Sequence, residues 1–296
     1  METTETKELK TAFIATFSQG LFATLIFSTF MVNTPILFEL IEMTKTEFSI
    51  PLVLFGIFNV ITNQLTTRFL LPKIGSTNCL IIARVMYSFI PFYIFYFSNY
   101  NIFILVSIFW GISIGIQAPN IFTQVAIIEE RTKKILNPIF KSSFNFGFLS
   151  GAAISSICLG FDIDPIYTTF FIGLFVFISS LSMYFFGLEK KYDVVNENPR
   201  FAVPNFNIIL FASINMFIIA FMGIIVQWSP LWLVTDLLAP IYLVGSIVIF
   251  FNAGEIVGNI FASKLIKKFN ELIVGPCFAM VGSIILLLSI ITQNIT

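Results

Sequence analysis

The chain has 296 residues, 57% hydrophobic, 17% aromatic and only 11% charged, with a net charge of zero and no histidine. That is roughly half the charge of a soluble globular domain and more apolar sequence than one water-soluble core can hide. The missing histidine disfavours metal-dependent enzymes and serine-histidine-aspartate hydrolases, and the neutral total leaves no basic domain for nucleic acid.

Nine apolar runs follow in chain order, near 11 to 34, 50 to 67, 77 to 98, 101 to 128, 138 to 161, 165 to 187, 206 to 228, 241 to 263 and 272 to 292. Each approaches the 20 or so residues that cross a hydrocarbon layer as helix, the form that satisfies every backbone N–H and C=O within its own segment. The expected fold class is therefore all-α, a polytopic transmembrane helical bundle of about nine spans with the lipid bilayer as its partner. The opening Met1 to Lys10 is polar and the first span has no small-residue cleavage site, so it reads as a retained helix and not a signal peptide.

Of the 16 Lys and Arg residues, fourteen fall in the N-terminal tail or the even-numbered connections, Lys45 alone in an odd-numbered one, and Arg84 inside the third span. This asymmetry predicts a cytoplasmic N-terminus and cytoplasmic even loops in a multi-pass protein of the cell (inner) membrane. The connections are too short for a soluble catalytic head. Cys79, Cys158 and Cys277 lie singly in apolar spans without ligand spacing, so no disulfide, metal or cofactor site is expected.

At an offset of 195 residues, Phe55, Ile61, Leu70 and Lys73 fall on Phe250, Ile256, Leu265 and Lys268, which relates the second span to the eighth. The loop from Asn63 to Gly75, with Arg68, Lys73 and Gly75, resembles the connection between helices 2 and 3 of the major facilitator superfamily; Thr66 or Thr67 stands where that family has an acidic residue. The stretch Trp110 to Ala152, with Gly111, Gly115, Asn120, Glu129, Glu130, Arg131, Gly147 and Gly151, is similar to helices 4 and 5 of a bacterial branch of that family. Gly223 through Trp228 and Ser229 to Gly254, Glu255, Gly258 and Asn259 is similar to its helices 7 and 8.

The resemblance implies a six-helix half over 1–188, a cytoplasmic linker over 189–204 and a partial second half, helices 7 to 9, over 205–296; the chain is expected to stop about three helices short of the family's twelve. It also implies secondary active transport by alternating access. Two readings compete with it. A ten-helix drug/metabolite carrier would repeat at roughly 140 residues, and a membrane-embedded enzyme or receptor would need catalytic acids or a soluble head.

Ser113, Gln117, Asn120 and Gln124 recur at spacings of 4, 3 and 4 on one face of the fourth span. Unsatisfied amides in hydrocarbon cost several kcal/mol each, so this stripe must meet water, substrate or the polar groups of another helix. The resemblance implies that it lines a central cavity with the first and seventh spans, where Gln19, Asn33, Asn215 and Gln227 add neutral amides suited to a small neutral polar substrate; interhelical hydrogen bonding is the alternative. Trp228 and Trp232 fit an interfacial belt. Two charges lie deep in spans: Arg84, as a snorkelling or paired residue, and Glu255, either a coupling carboxylate with protons as the coupling ion or a structural hydrogen-bonding group. Arg68 and Lys73 belong to the expected gating loop. Gly111 with Gly115, Gly147 with Gly151, and Gly254 with Gly258 are small-xxx-small pairs that permit close helix approach.

Overall fold

A computed structural model of the chain describes residues 4–134, 136–193, 205–269 and 271–292, and all regular secondary structure among them is helical. Eight described helices are long and apolar enough to cross a membrane; the ninth, Glu271–Thr292, contributes the shorter apolar stretch Ile273–Ile285. The chain is thus an all-helical bundle of the kind a multi-pass membrane protein forms.

The first span, Thr4–Val32, ends at Asn33, whose φ of −89° and ψ of 0° leave the helical region; Pro35 then starts a short helix, Thr34–Ile41. The second, Lys45–Leu65, begins five residues before the apolar run, because Thr44 and Glu47 form a capping box: Thr44 Oγ1 accepts from Glu47 N at 3.2 Å and Thr44 N donates to Glu47 Oε2 at 2.7 Å. It relaxes into a π-turn over Thr66–Leu70 and closes at Gly75, whose φ of +85° a side chain would strain. The third span is two helices, Ser76–Tyr87 and Ile90–Phe97, interrupted ahead of Pro91, which has no N–H to give the preceding turn. Asn99, Asp164 and Asn205 cap the fourth (Tyr100–Thr132), sixth (Pro165–Phe186) and seventh (Phe206–Thr235) spans; the fifth is Asn137–Gly160 and the eighth Ser246–Phe269.

Small residues set the packing. A Cβ on Gly111 would collide with Phe55 O, and one on Gly115 would stand 2.6 Å from Asn59 O, so the fourth span lies directly on the backbone of the second. Gly147 and Gly151 press in the same way on Leu21 O and Leu25 O of the first. The principal contacts of the first six spans are 1 with 5, 2 with 4, 3 with 4, 1 with 6, 3 with 6 and 1 with 4. Moving every number three places exchanges 1–5 with 2–4 and 3–4 with 1–6, and returns 3–6 and 1–4 to themselves. The six helices therefore pack largely as two interchangeable sets of three, the contact of 1 with 3 lacking a counterpart between 4 and 6. The eighth span docks on the fifth, where Gly245 N donates to Ser156 Oγ at 3.1 Å, and the seventh docks on the first.

Phe30 and Trp110 meet edge to face at 5.3 Å in the largest apolar cluster, joined by Phe48, Phe95 and Phe103. Outward faces are equally apolar: Phe171, Phe175, Ile178 and Leu181 of the sixth span are all exposed. Only a hydrocarbon surround makes so large an apolar surface tolerable.

The two ends of the bundle differ. At one, the N-terminal helix, the Gly75 turn, the end of the fourth span and the segment after the sixth meet: Lys191 pairs with Glu8 at 3.7 Å, and the Arg131 guanidinium lies over the Tyr192 ring. At the other, Lys45 reaches Asp236 at 3.2 Å, and the Thr235 hydroxyl together with Lys45 holds the Asp236 carboxyl below its ordinary pKa. The described parts of the second, fourth and sixth connections thus share one end with the N-terminal helix, and the odd-numbered connections lie at the other. The linker expected at 189–204 is described only as far as Asp193.

Candidate functional site

The amide stripe of the fourth span is buried and turned towards protein. Ser113 Oγ donates to Trp110 O at 2.8 Å and Asn120 Nδ2 to Ile116 O at 2.7 Å, both on their own helix. Gln117 Nε2 donates to Gln19 O at 3.1 Å on the first span. Gln124 is the most connected: its Oε1 accepts from Thr16 Oγ1 at 2.7 Å, and its Nε2 donates to Ser76 Oγ at 3.0 Å and Thr77 Oγ1 at 2.8 Å. That cluster runs on to Asp193, which accepts from Ser76 Oγ at 2.7 Å and Ser76 N at 2.8 Å. Asp193 thereby supplies the cap that Gly75 lacks, and a carboxylate beside a loop that has none of its own. Lys190 Nζ adds a bond to Lys73 O at 2.7 Å.

Arg84 is fully buried at the junction of the first, third and sixth spans. Its Nε donates to Gln19 Oε1, Nη1 to Ser179 O at 2.9 Å and Nη2 to Ser18 Oγ at 3.0 Å, and the guanidinium lies 5.1 Å from the Phe22 ring centroid. The other end of the Gln19 amide donates to Leu80 O at 3.1 Å. Arg84 is therefore paired with neutral acceptors and does not snorkel to an edge.

A separate opening lies where the first, second, fourth and fifth spans converge. It is a cavity of about 160 Å³ walled by Ala23, Thr24 and Phe27 of the first span, Phe55 of the second, and Phe144 and Phe148 of the fifth. From the fourth span come Ile114, Gln117, Ala118, Ile121 and Phe122, at spacings 3, 4, 7 and 8 from Ile114. This face is rotated roughly a quarter turn from the amide stripe and shares only Gln117 with it. Thr24 Oγ1 is committed to Phe144 O at 2.8 Å, so the wall is apolar and aromatic except at Gln117. No protein-family model matches the chain, and neither a curated protein nor a solved structure shows significant similarity to it.

The remaining expected residues do not join this cavity. Asn33 is buried and donates to Thr29 O at 2.7 Å; the side chain of Asn215 lies outside the described residues. Gln227 is half-buried away from the wall, and Trp228 packs edge-on against Phe48 at 5.5 Å. Arg68 and Lys73 are exposed at the end that carries the Gly75 turn. Glu255 is half-buried with a shielded Oε2 that meets no partner among the described residues, as does Asn252 Oδ1 one turn earlier; the charge acting on Glu255 is Lys141 of the fifth span.

Proposed function

We propose that the chain is a secondary transporter of a small neutral solute, resembling the major facilitator superfamily and working by alternating access in a cell membrane, with its basic end in the cytoplasm. The observation that carries this reading is the exchange of helix pairs when the first six spans are moved three places. Nested three-plus-three repeats are a property of that superfamily's halves, and a mid-bundle cavity between such repeats is where substrates bind. A ten-helix carrier, repeating after five helices, requires no such exchange. The docking of the seventh and eighth spans on the first and fifth supplies the surface across which one half would rock.

Glu255 is the proposed coupling carboxylate. It lies on the contact between the fifth and eighth spans, facing the charge of Lys141, and its shielded oxygen meets no fixed donor among the described residues. In proteoliposomes, uptake of radiolabelled small neutral solutes is expected to rise several-fold on imposing a proton gradient, and Glu255→Gln is expected to abolish that rise while leaving equilibrium binding intact. Absence of uptake for every solute by folded, reconstituted protein would contradict the transporter reading, and a gradient effect preserved in the variant would remove Glu255 from coupling.

A further inference from the structure

We propose that the cavity between the first, second, fourth and fifth spans binds a single aromatic ring carrying one hydrogen-bond donor, a ligand of the phenol class. The proposal rests on the transport reading only in calling this ligand a substrate; the binding site stands on its own geometry. Three observations converge. The cavity, open on one side, holds about 160 Å³, comparable in volume to the ~150 Å³ enclosed apolar cavity that accommodates benzene. Five of its wall residues are Phe27, Phe55, Phe122, Phe144 and Phe148, and neighbouring rings such as Phe27 and Phe148, edge-on at 6.2 Å, already show the geometry a further ring would extend. Of its two polar wall residues, Thr24 spends its hydroxyl proton on Phe144 O, and Gln117, 3% exposed, has its Nε2 held by Gln19 O while no donor meets its Oε1 among the described residues.

The wall therefore offers a single amide, whose Oε1 can accept and whose second Nε2 hydrogen meets no acceptor among the described residues, beside a Thr24 hydroxyl that has already given its proton. A sugar, polyol or zwitterion would bring more groups than one amide can satisfy, whereas a phenol brings one hydroxyl that donates to Oε1 and can accept the second N–H. Chemical class follows from this count and from ring-sized space.

Trp110 is a built-in reporter, because its ring lies 5.3 Å from Phe27 and 6.0 Å from Phe55. Replacing Trp228 and Trp232 by Phe leaves it as the sole tryptophan of three. Titrating this protein in lipid nanodiscs with phenol is expected to give a saturable change in Trp110 emission. Toluene should bind at least fivefold more weakly, and a ring-sized polyol not at all. Ala118→Leu, which fills the cavity, is expected to weaken phenol at least tenfold. Phe144→Ala, which enlarges it, is expected to admit naphthol, with thermal melting of each variant showing that it is folded. A response that stays linear in phenol and unchanged in Ala118→Leu overturns the site, and an equal saturable response to hexanol overturns the aromatic assignment. Saturable binding without uptake upholds the site and counts against transport alone.

Discussion

Gln19→Leu is expected to destabilise the folded protein by about 3 kcal/mol, one of the two largest effects anticipated for a single substitution. Gln19 is the hinge of the buried polar network: its Oε1 takes the Arg84 Nε–H, its Nε2 serves Leu80 O, and its main-chain O receives Gln117. Leucine keeps the bulk and the last of these bonds but leaves a buried guanidinium N–H with no acceptor. Leaving a buried donor of a charged group without its acceptor costs about 3 kcal/mol, whereas removing both partners with apolar groups of similar shape is often close to neutral. The double variant Gln19→Leu/Arg84→Met is therefore expected to recover most of the loss. Thermal melting of the purified proteins in one detergent gives the cycle. A double variant as unstable as the sum of the two singles would show that Arg84 and Gln19 do not depend on each other.

The second large effect lies in the helix contacts. Gly111→Ala and Gly147→Ala each place a methyl group against fixed backbone, Phe55 O in one case and Leu21 O in the other. Neither carbonyl can turn aside without breaking its own helix, so the paired spans must separate, at about 2 kcal/mol or more each. Gly254→Ala and Gly258→Ala meet nothing within 4 Å and are expected to be neutral, or to gain up to about 1 kcal/mol from helix propensity. All three glycine pairs look alike as small-xxx-small spacings. Equal melting shifts for the four variants would refute the packing assignment.

That contrast indicates what was legible in the sequence. Span type, and eight of the nine expected spans, were readable because the thickness of hydrocarbon and the need to satisfy backbone groups leave few alternatives for runs of this length. The early start of the second span is also written in Thr44 and Glu47, whose capping box carries the helix five residues beyond its apolar run. The Gly111 and Gly147 contacts were legible in kind, and the openness around Gly254 and Gly258 was not, since spacing says nothing about who stands opposite. Gln124, Gln19 and Arg84 were recognisable as groups needing partners; their partners lie 47 to 108 residues away and are set by tertiary packing.

The cavity was the hardest feature to see. Ile114, Ala118, Ile121 and Phe122 have the same composition whether a helix face meets lipid or an interior space, so the polar face beside them drew attention first. Only Gln117, where the two faces meet, belonged to both. Asp193 sits in a connection whose mixed charges read as solvent-exposed, yet its carboxylate caps the start of the third span.

Alternating access is the central claim, and the reach of reagents into the cavity tests it most directly. With Cys79, Cys158 and Cys277 replaced by Ser, a single Ala118→Cys on the cavity wall can be challenged with a membrane-impermeant maleimide from either face of sealed, oriented vesicles. The account predicts labelling from both faces, with ligand and proton gradient shifting the ratio between them. Labelling confined to one face under every condition would contradict it.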